Sequence, residues 1–220
     1  MEILLEDNHL LVVSKPAGWI VQGATEDQFS LLEWARSYIK QKYHKPGNVF
    51  IGVVSRLDSR VTGAVPFART SKAASRLSEQ LRNNTMIKNY WAIVEGSPPQ
   101  QEGRLEHWLT RRDSDVVTTA STTKSAQAQL GILEYRRLAT TSLGELLEIK
   151  LITGRKHQIR AQMQAIGIPV VGDVRYGSKR RFAEGIALHC REIGFTHPTR
   201  DEQIRIEAEV PSYWPELALR

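Results

Sequence analysis

The sequence predicts an α+β fold with a mixed sheet. Three observations carry this. Short runs rich in aromatic and β-branched residues recur along the chain. Only three stretches combine a helical apolar period with end signals. Strands and helices do not alternate regularly, which argues against a doubly wound parallel sheet.

HLLVVSKP (9–16) is a buried-type apolar run ended by a proline. SLLEWARSYIKQKY (30–43) opens with Ser30 and has Glu33 three residues on, the pattern of a capping box at a helix start. GAVPFART (63–70) reads as a strand, and Pro66 inside it argues for an edge or a bulge. SKAASRLSEQLRNN (71–84) starts a helix at Ser71, with Ala74, Leu77 and Leu81 on one face. MIKNYWAIVEG (86–96), AQLGILEYRRL (128–138) and GELLEIKLITG (144–154) read as strands, and GSPPQQEG (96–103) as a loop. KHQIRAQMQAIG (156–167) places Ile159, Met163 and Ile166 on one helical stripe and stops at Gly167. ALHCREIGF (187–195) is an apolar strand, and EQIRIEAEVP (202–211) is the last strand. No repeat, low-complexity tract or linker interrupts the 220 residues, and one domain is the expectation.

Thirty basic against 24 acidic residues give a formal charge of +6, which makes an anionic partner such as RNA or DNA plausible. The single cysteine, Cys190, cannot form an internal disulfide. It reads as a small hydrophobe in its strand rather than as a nucleophile. MEILLEDNHL lacks the pattern of a signal peptide, and no apolar run approaches a membrane span. A reducing cytoplasm is the expected compartment. His189, Cys190 and His197 lack a zinc spacing, so no metal is expected. There is no G-x-S-x-G elbow, Walker loop or G-x-G-x-x-G motif.

VSRLDSRVTG (54–63) raises the sharper question. Asp58 taken alone reads as a turn residue that bonds its own backbone. On the helix after residue 156, His157, Arg160 and Gln164 share one face beside the apolar stripe. An arginine at the edge of a buried stripe needs a carboxylate. That acid can be any of the 24, in a structural ion pair, or a catalytic one held ionised and aimed.

These stretches together resemble pseudouridine synthases of the RluA family. EDNHLLVVSKPAG resembles the opening of that catalytic domain, and SRLDSRVTG its H-R-L-D-x-x-T-S-G loop. IKNYWAIVEG resembles its K-x-Y-x-A-x-V-x-G strand. TGRKHQIRAQMQAIGIPVVGDVRYG resembles T-G-R-T-H-Q-I-R and the G-x-P-I-x-G-D-x-x-Y-G that follows. LHCREIGFTHP resembles its closing strand. Each motif is weak alone, and all five in this order are specific.

The resemblance implies a mainly antiparallel sheet flanked by helices, and isomerisation of uridine to pseudouridine in ribosomal or transfer RNA. It implies Asp58 as nucleophile and Arg160 as its salt-bridge partner. Tyr90 packs on the flipped base and is a candidate for proton handling at C5. Arg56 enters the RNA stack, and Arg155 and His157 lie where they can meet phosphate. Isomerisation is redox-neutral and imports no atom, so no cofactor is expected. A monomer is expected too. Lys15, Lys72, Arg76, Lys88, Arg111, Arg112, Lys179, Arg180 and Arg181 could supply phosphate contacts, although each singly reads as a solvated charge. No S4-like RNA-binding domain is expected in front. Four positions depart from the pattern: Ser55 for histidine, Val61-Thr62 for Thr-Ser, Lys156 for threonine and Gln162 for a common histidine. The rival reading is a catalytically silent RNA-binding protein on the same scaffold.

Overall fold

The computed structural model describes residues 1–111 and 117–216. Arg112, a candidate phosphate contact, lies outside the described residues. The chain divides into two compact units: residues 1–87 with 190–210, and residues 88–189 with 211–220.

The first unit holds β1 (Glu2–Glu6), β2 (Leu10–Lys15), α1 (Leu31–Lys42), β3 (Gly52–Val53), β4 (Thr62–Ala68), α2 (Ser71–Arg82), β11 (Gln203–Glu207) and most of β10 (Leu188–Thr196). Its strand order is β1-β2-β4-β10-β11, with β3 also on β4. The pairings β1–β2, β2–β4, β3–β4 and β10–β11 are antiparallel. Apolar alternation sends Leu11, Val13, Val65 and Phe67 to one face. There they pack on Leu31, Leu32, Ala35 and Ile39 of α1. Ser30 caps α1 by accepting from the Glu33 amide at 3.3 Å. The Glu33 carboxylate turns to Arg36 instead of closing the capping box. α2 is capped by Thr70, one residue before the expected start.

Pro66 corrects an expectation. It lies opposite Val12 in an unbulged ladder, in a strand with neighbours on both sides. β3 reaches only Phe67 and Ala68, so the missing Pro66 N–H takes no bond from that ladder.

The second unit holds most of β5 (Ile87–Val94), then β6 (Glu102–Thr110), β7 (Thr119–Ser121), β8 (Gln129–Thr141), β9 (Gly144–Leu151) and α3 (Gln158–Ala165). A short 3₁₀ turn follows, Val174–Tyr176. Its strands run β5-β9-β8-β6-β7, all antiparallel. β6 has no clear sequence signal. Its Glu102, Arg104 and Glu106 alternate outward and make it a charged, half-exposed strand. The fold class is α+β with a mainly antiparallel sheet, as expected. An isolated parallel bridge joins Ile20 and Ser30.

Candidate active site

Asp58 sits in the irregular segment between β3 and β4 and is half-buried. Its carbonyl accepts from Val61 N–H at 3.0 Å, so it does start a turn, as the isolated decapeptide suggests. Arg56 is exposed. Leu57 is partly buried and packs against the core cluster that includes Leu11, Val13, Val65 and Phe67, which roots the loop. Gly63 closes the segment with φ 113°, and a Cβ there would lie 2.4 Å from the Cys190 carbonyl oxygen. Only glycine satisfies both conditions.

Lys15 holds this loop from below. Its Nζ donates to the carbonyls of Pro16 at 2.9 Å, Trp19 at 2.9 Å and Ser59 at 3.0 Å, across 44 residues in the last case. Gly18 N–H donates to the same Ser59 carbonyl at 2.8 Å. Three acceptors match the three N–H groups that only an ammonium offers. Burial pulls the Lys15 pKa down to about 7, and the Asp58 charge pulls the other way. Lys15 is therefore not a phosphate contact. Lys88 is also buried, whereas Lys72, Arg76, Lys179, Arg180 and Arg181 are exposed and Arg111 is half-buried.

In the second unit, Tyr90 lies in β5 opposite Ile149 and is half-exposed. The segment before α3 is built by side chains that motif reading passed over. Gln158 Oε1 accepts from Thr153 Oγ1 at 2.8 Å and from Arg155 N–H at 3.0 Å. Its Nε2 donates to the Ile132 carbonyl at 3.0 Å. Arg155 is exposed and donates through Nε to the Leu130 carbonyl at 3.2 Å. His157 takes a left-handed backbone, φ 54°, where α3 begins. A non-glycine residue there stores strain of roughly 1–3 kcal/mol. Its Nδ1 lies 2.8 Å from the Tyr176 hydroxyl, which also accepts from Thr118 N–H at 2.7 Å.

Arg160 is not at the edge of the stripe. Residues 158–163 are all buried, and Arg160 is 3% exposed. It forms a two-pronged ion pair with Asp173, Nε to Oδ2 at 2.6 Å and Nη2 to Oδ1 at 2.9 Å. Its guanidinium carbon lies 4.6 Å from the Tyr176 ring centroid. Burial pushes the Tyr176 phenol up, so it stays neutral. Asp173 is thus one carboxylate partner of Arg160. Asp58 lies in the other unit. Gln164, expected beside Arg160, is exposed. Gln162 is fully buried, and its Nε2 donates to the carbonyls of Leu105 and Gly131 at 3.2 Å each. This departure therefore serves packing. Among the described residues no three His, Cys, Asp or Glu side chains gather to hold a metal, and no helix is long and apolar enough to cross a membrane. Two open grooves in the first unit, one of them lined by Trp19, Phe29 and Trp34, do not include Asp58.

The family model described as RNA pseudouridylate synthase matches residues 9–165. The chain belongs to that family. Its motifs place it among the RluA-like members, and it is an RNA pseudouridine synthase, an isomerase that acts on RNA. It is 32% identical to ribosomal large subunit pseudouridine synthase D of Zymomonas mobilis, over 96% of this chain and 69% of that protein. It is 30% identical to tRNA pseudouridine synthase C of Vibrio vulnificus, over 99% of this chain and 94% of that one. Among solved structures, human RNA pseudouridylate synthase domain containing 4 superimposes with a TM-score of 0.81 at 23% identity, over 96% of this chain and 89% of that one. That likeness bears on the fold.

Proposed function

We propose that Asp58 is the nucleophile that converts uridine to pseudouridine in ribosomal or transfer RNA, with the target base flipped out of its stack. The observation that carries this is the Asp58 loop. A half-buried carboxylate sits on a short segment that Lys15, Leu57 and Gly63 hold in place. The relatives named above act, by their names, on ribosomal and on transfer RNA, and both classes stay in the proposal.

The reaction breaks N1–C1′, turns the base and joins C5 to C1′. The C5 proton leaves and N1 gains one, so atoms and charge balance without a redox partner. One carboxylate can attack C1′, add to C6 or begin by removing the C2′ proton. Ionised aspartate suits all three, and covalent capture splits one hard step into two. Arg160 is the proposed ion-pair partner that keeps this carboxylate ionised and oriented. Extruding the base costs a few kcal/mol. Arg56, exposed and flat-headed, fills the gap in the stack. Tyr90 offers its ring to the extruded base and handles the C5 proton. Arg155 and His157 bind phosphate. The two units act as one catalytic domain, a monomer without cofactor, in the cytoplasm.

The test uses unmodified ribosomal and transfer RNA transcribed with uridine tritiated at C5. Release of tritium from one class names the target. Release from neither, with RNA still bound, would overturn the proposed substrate classes.

A further inference from the structure

The segment between β2 and α1, with the first turns of α1, lines a groove that the chemistry above does not use. Its walls are aromatic. Trp19 and Phe29 stack with ring centroids 5.0 Å apart and planes 19° apart, and Trp34 joins them in the lining. The groove holds about 710 Å³, within the roughly 300–1,000 Å³ of sites that take small organic groups. Phe29 is 67% exposed. A lone exposed apolar residue needs no explanation, but a stacked pair lining a groove calls for one.

The backbone holds this pair in place. Ile20 N–H donates to the Phe29 carbonyl at 2.9 Å, Leu31 N–H to the Ile20 carbonyl at 2.8 Å and Leu32 N–H to the Val21 carbonyl at 3.1 Å. Trp19 and Phe29 are thus carried on cross-tied pieces of chain. Between them, Gln28 N–H donates to the Thr25 carbonyl at 3.0 Å and Thr25 N–H to Gln28 Oε1 at 3.1 Å, which closes a turn. Trp19 also packs against the core cluster that includes Leu31, Leu32 and Ala35. Such a fixed aromatic platform suits a nucleobase, because every base has a π face.

The groove adjoins the Asp58 loop within the same unit. Gly18 N–H donates to the Ser59 carbonyl at 2.8 Å, and Lys15 Nζ links the carbonyls of Trp19 and Ser59 at 2.9 and 3.0 Å. Trp19 follows Gly18 and Asp58 precedes Ser59, so each lies one residue step, about 3.8 Å, from that junction. Charge sets which end of a nucleotide enters. Glu26 and Glu33 line the groove, and Arg36 is paired with Glu33 at 2.7 Å. A phosphate is repelled there and a neutral base is not.

We propose that the Trp19–Phe29 groove is a base-stacking subsite for an unpaired nucleotide that flanks the target uridine. The Phe29 ring takes the base, Trp19 backs that ring, and sugar and phosphate stay outside, away from Glu26 and Glu33. Stacking the neighbour replaces part of the stacking that the strand loses when the uridine is flipped. The subsite rests on Asp58 as nucleophile, which sets where the uridine lies.

The test measures binding of the unmodified transfer and ribosomal RNA transcripts over a range of salt, for wild type, Phe29→Ala, Phe29→Leu and Phe29→Trp. Affinities are taken per folded molecule, with thermal melting as the control. Phe29→Ala is expected to bind about tenfold more weakly, the scale of one lost base–aromatic stack. Its log affinity is expected to fall with log salt at the wild-type slope, because no phosphate contact is removed. Phe29→Leu keeps an apolar side chain without a π face and is expected to bind as weakly as Phe29→Ala. Phe29→Trp keeps the face and is expected to bind at least as tightly as wild type. Wild-type affinity in Phe29→Ala would overturn the proposal and leave the groove to an apolar segment of protein. Affinity restored by Leu would show apolar contact without stacking, and a shallower salt slope in Phe29→Ala would show a phosphate contact; either would overturn it. Tritium release by Asp58→Asn at the wild-type rate would instead overturn the assignment on which it rests.

Discussion

The Asp58 loop and the Arg160 helix are held in opposite ways. The loop is irregular, half-exposed and fixed through its backbone, by a lysine that ties the Ser59 carbonyl to those of Pro16 and Trp19. Arg160 is on a helix, buried, and fixed through its side chain by an acid and an aromatic ring. The difference fits their proposed tasks. A group that must react borrows rigidity from the main chain of its loop. A group that must only steer can be locked at its functional end.

Breaking the helix side should cost the most stability. Arg160→Ala leaves the Asp173 carboxylate buried without its counter-charge, a loss of about 3–5 kcal/mol that urea unfolding would show. Breaking the loop side should cost rate. Lys15→Met frees the Ser59 carbonyl and the 16–19 segment, and tritium release should fall about 100-fold. The same variant carries a pH signature. Folding lowers the Lys15 pKa from the ordinary 10.5 to about 7. Between those values the unfolded chain holds a proton that the folded chain does not, so this group makes stability rise with pH across that window. Urea midpoints at pH 7 and pH 9.5 should show a rise from this source in wild type that is missing in Lys15→Met.

Gly63→Ala sharpens the comparison, because it attacks the loop through backbone alone. Its positive φ and the Cys190 carbonyl beneath it predict a loss of about 2 kcal/mol, read by thermal melting. The smallest effect is expected at Lys156, a departure from the family pattern that is exposed and whose backbone carbonyl accepts from the Thr118 hydroxyl. Lys156→Thr should change stability by no more than about 0.5 kcal/mol and leave tritium release unchanged.

The legible parts of the molecule are local. Helix caps, apolar alternation and the order of five motifs all lie within short windows, and they yielded three helices, seven strands and the candidate nucleophile. What escaped the sequence depends on distant partners. Asp173 sits in a glycine-flanked turn, where an aspartate reads as a turn residue, and its partner is 13 residues back on a helix. Lys15 reads as surface charge because the Ser59 carbonyl that helps bury it is 44 residues away. Thr153 and Gln158 were visible inside a motif, but that they build the segment before α3 shows only in their bonds to Ile132. β1, β3, β6 and β7 are short or charged strands whose partners, not their residues, make them strands. Pro66 was placed at an edge or a bulge by a sound rule, and the structure puts it in an unbulged ladder whose β3 partner stops short of it.

The most direct test of the central claim is single-turnover tritium release from C5-labelled RNA by wild type and Asp58→Asn, each at saturating protein. The account predicts release by wild type and none above background by Asp58→Asn, with RNA bound equally by both. Release by Asp58→Asn at a rate near wild type would contradict it and return Asp58 to the role of a turn residue.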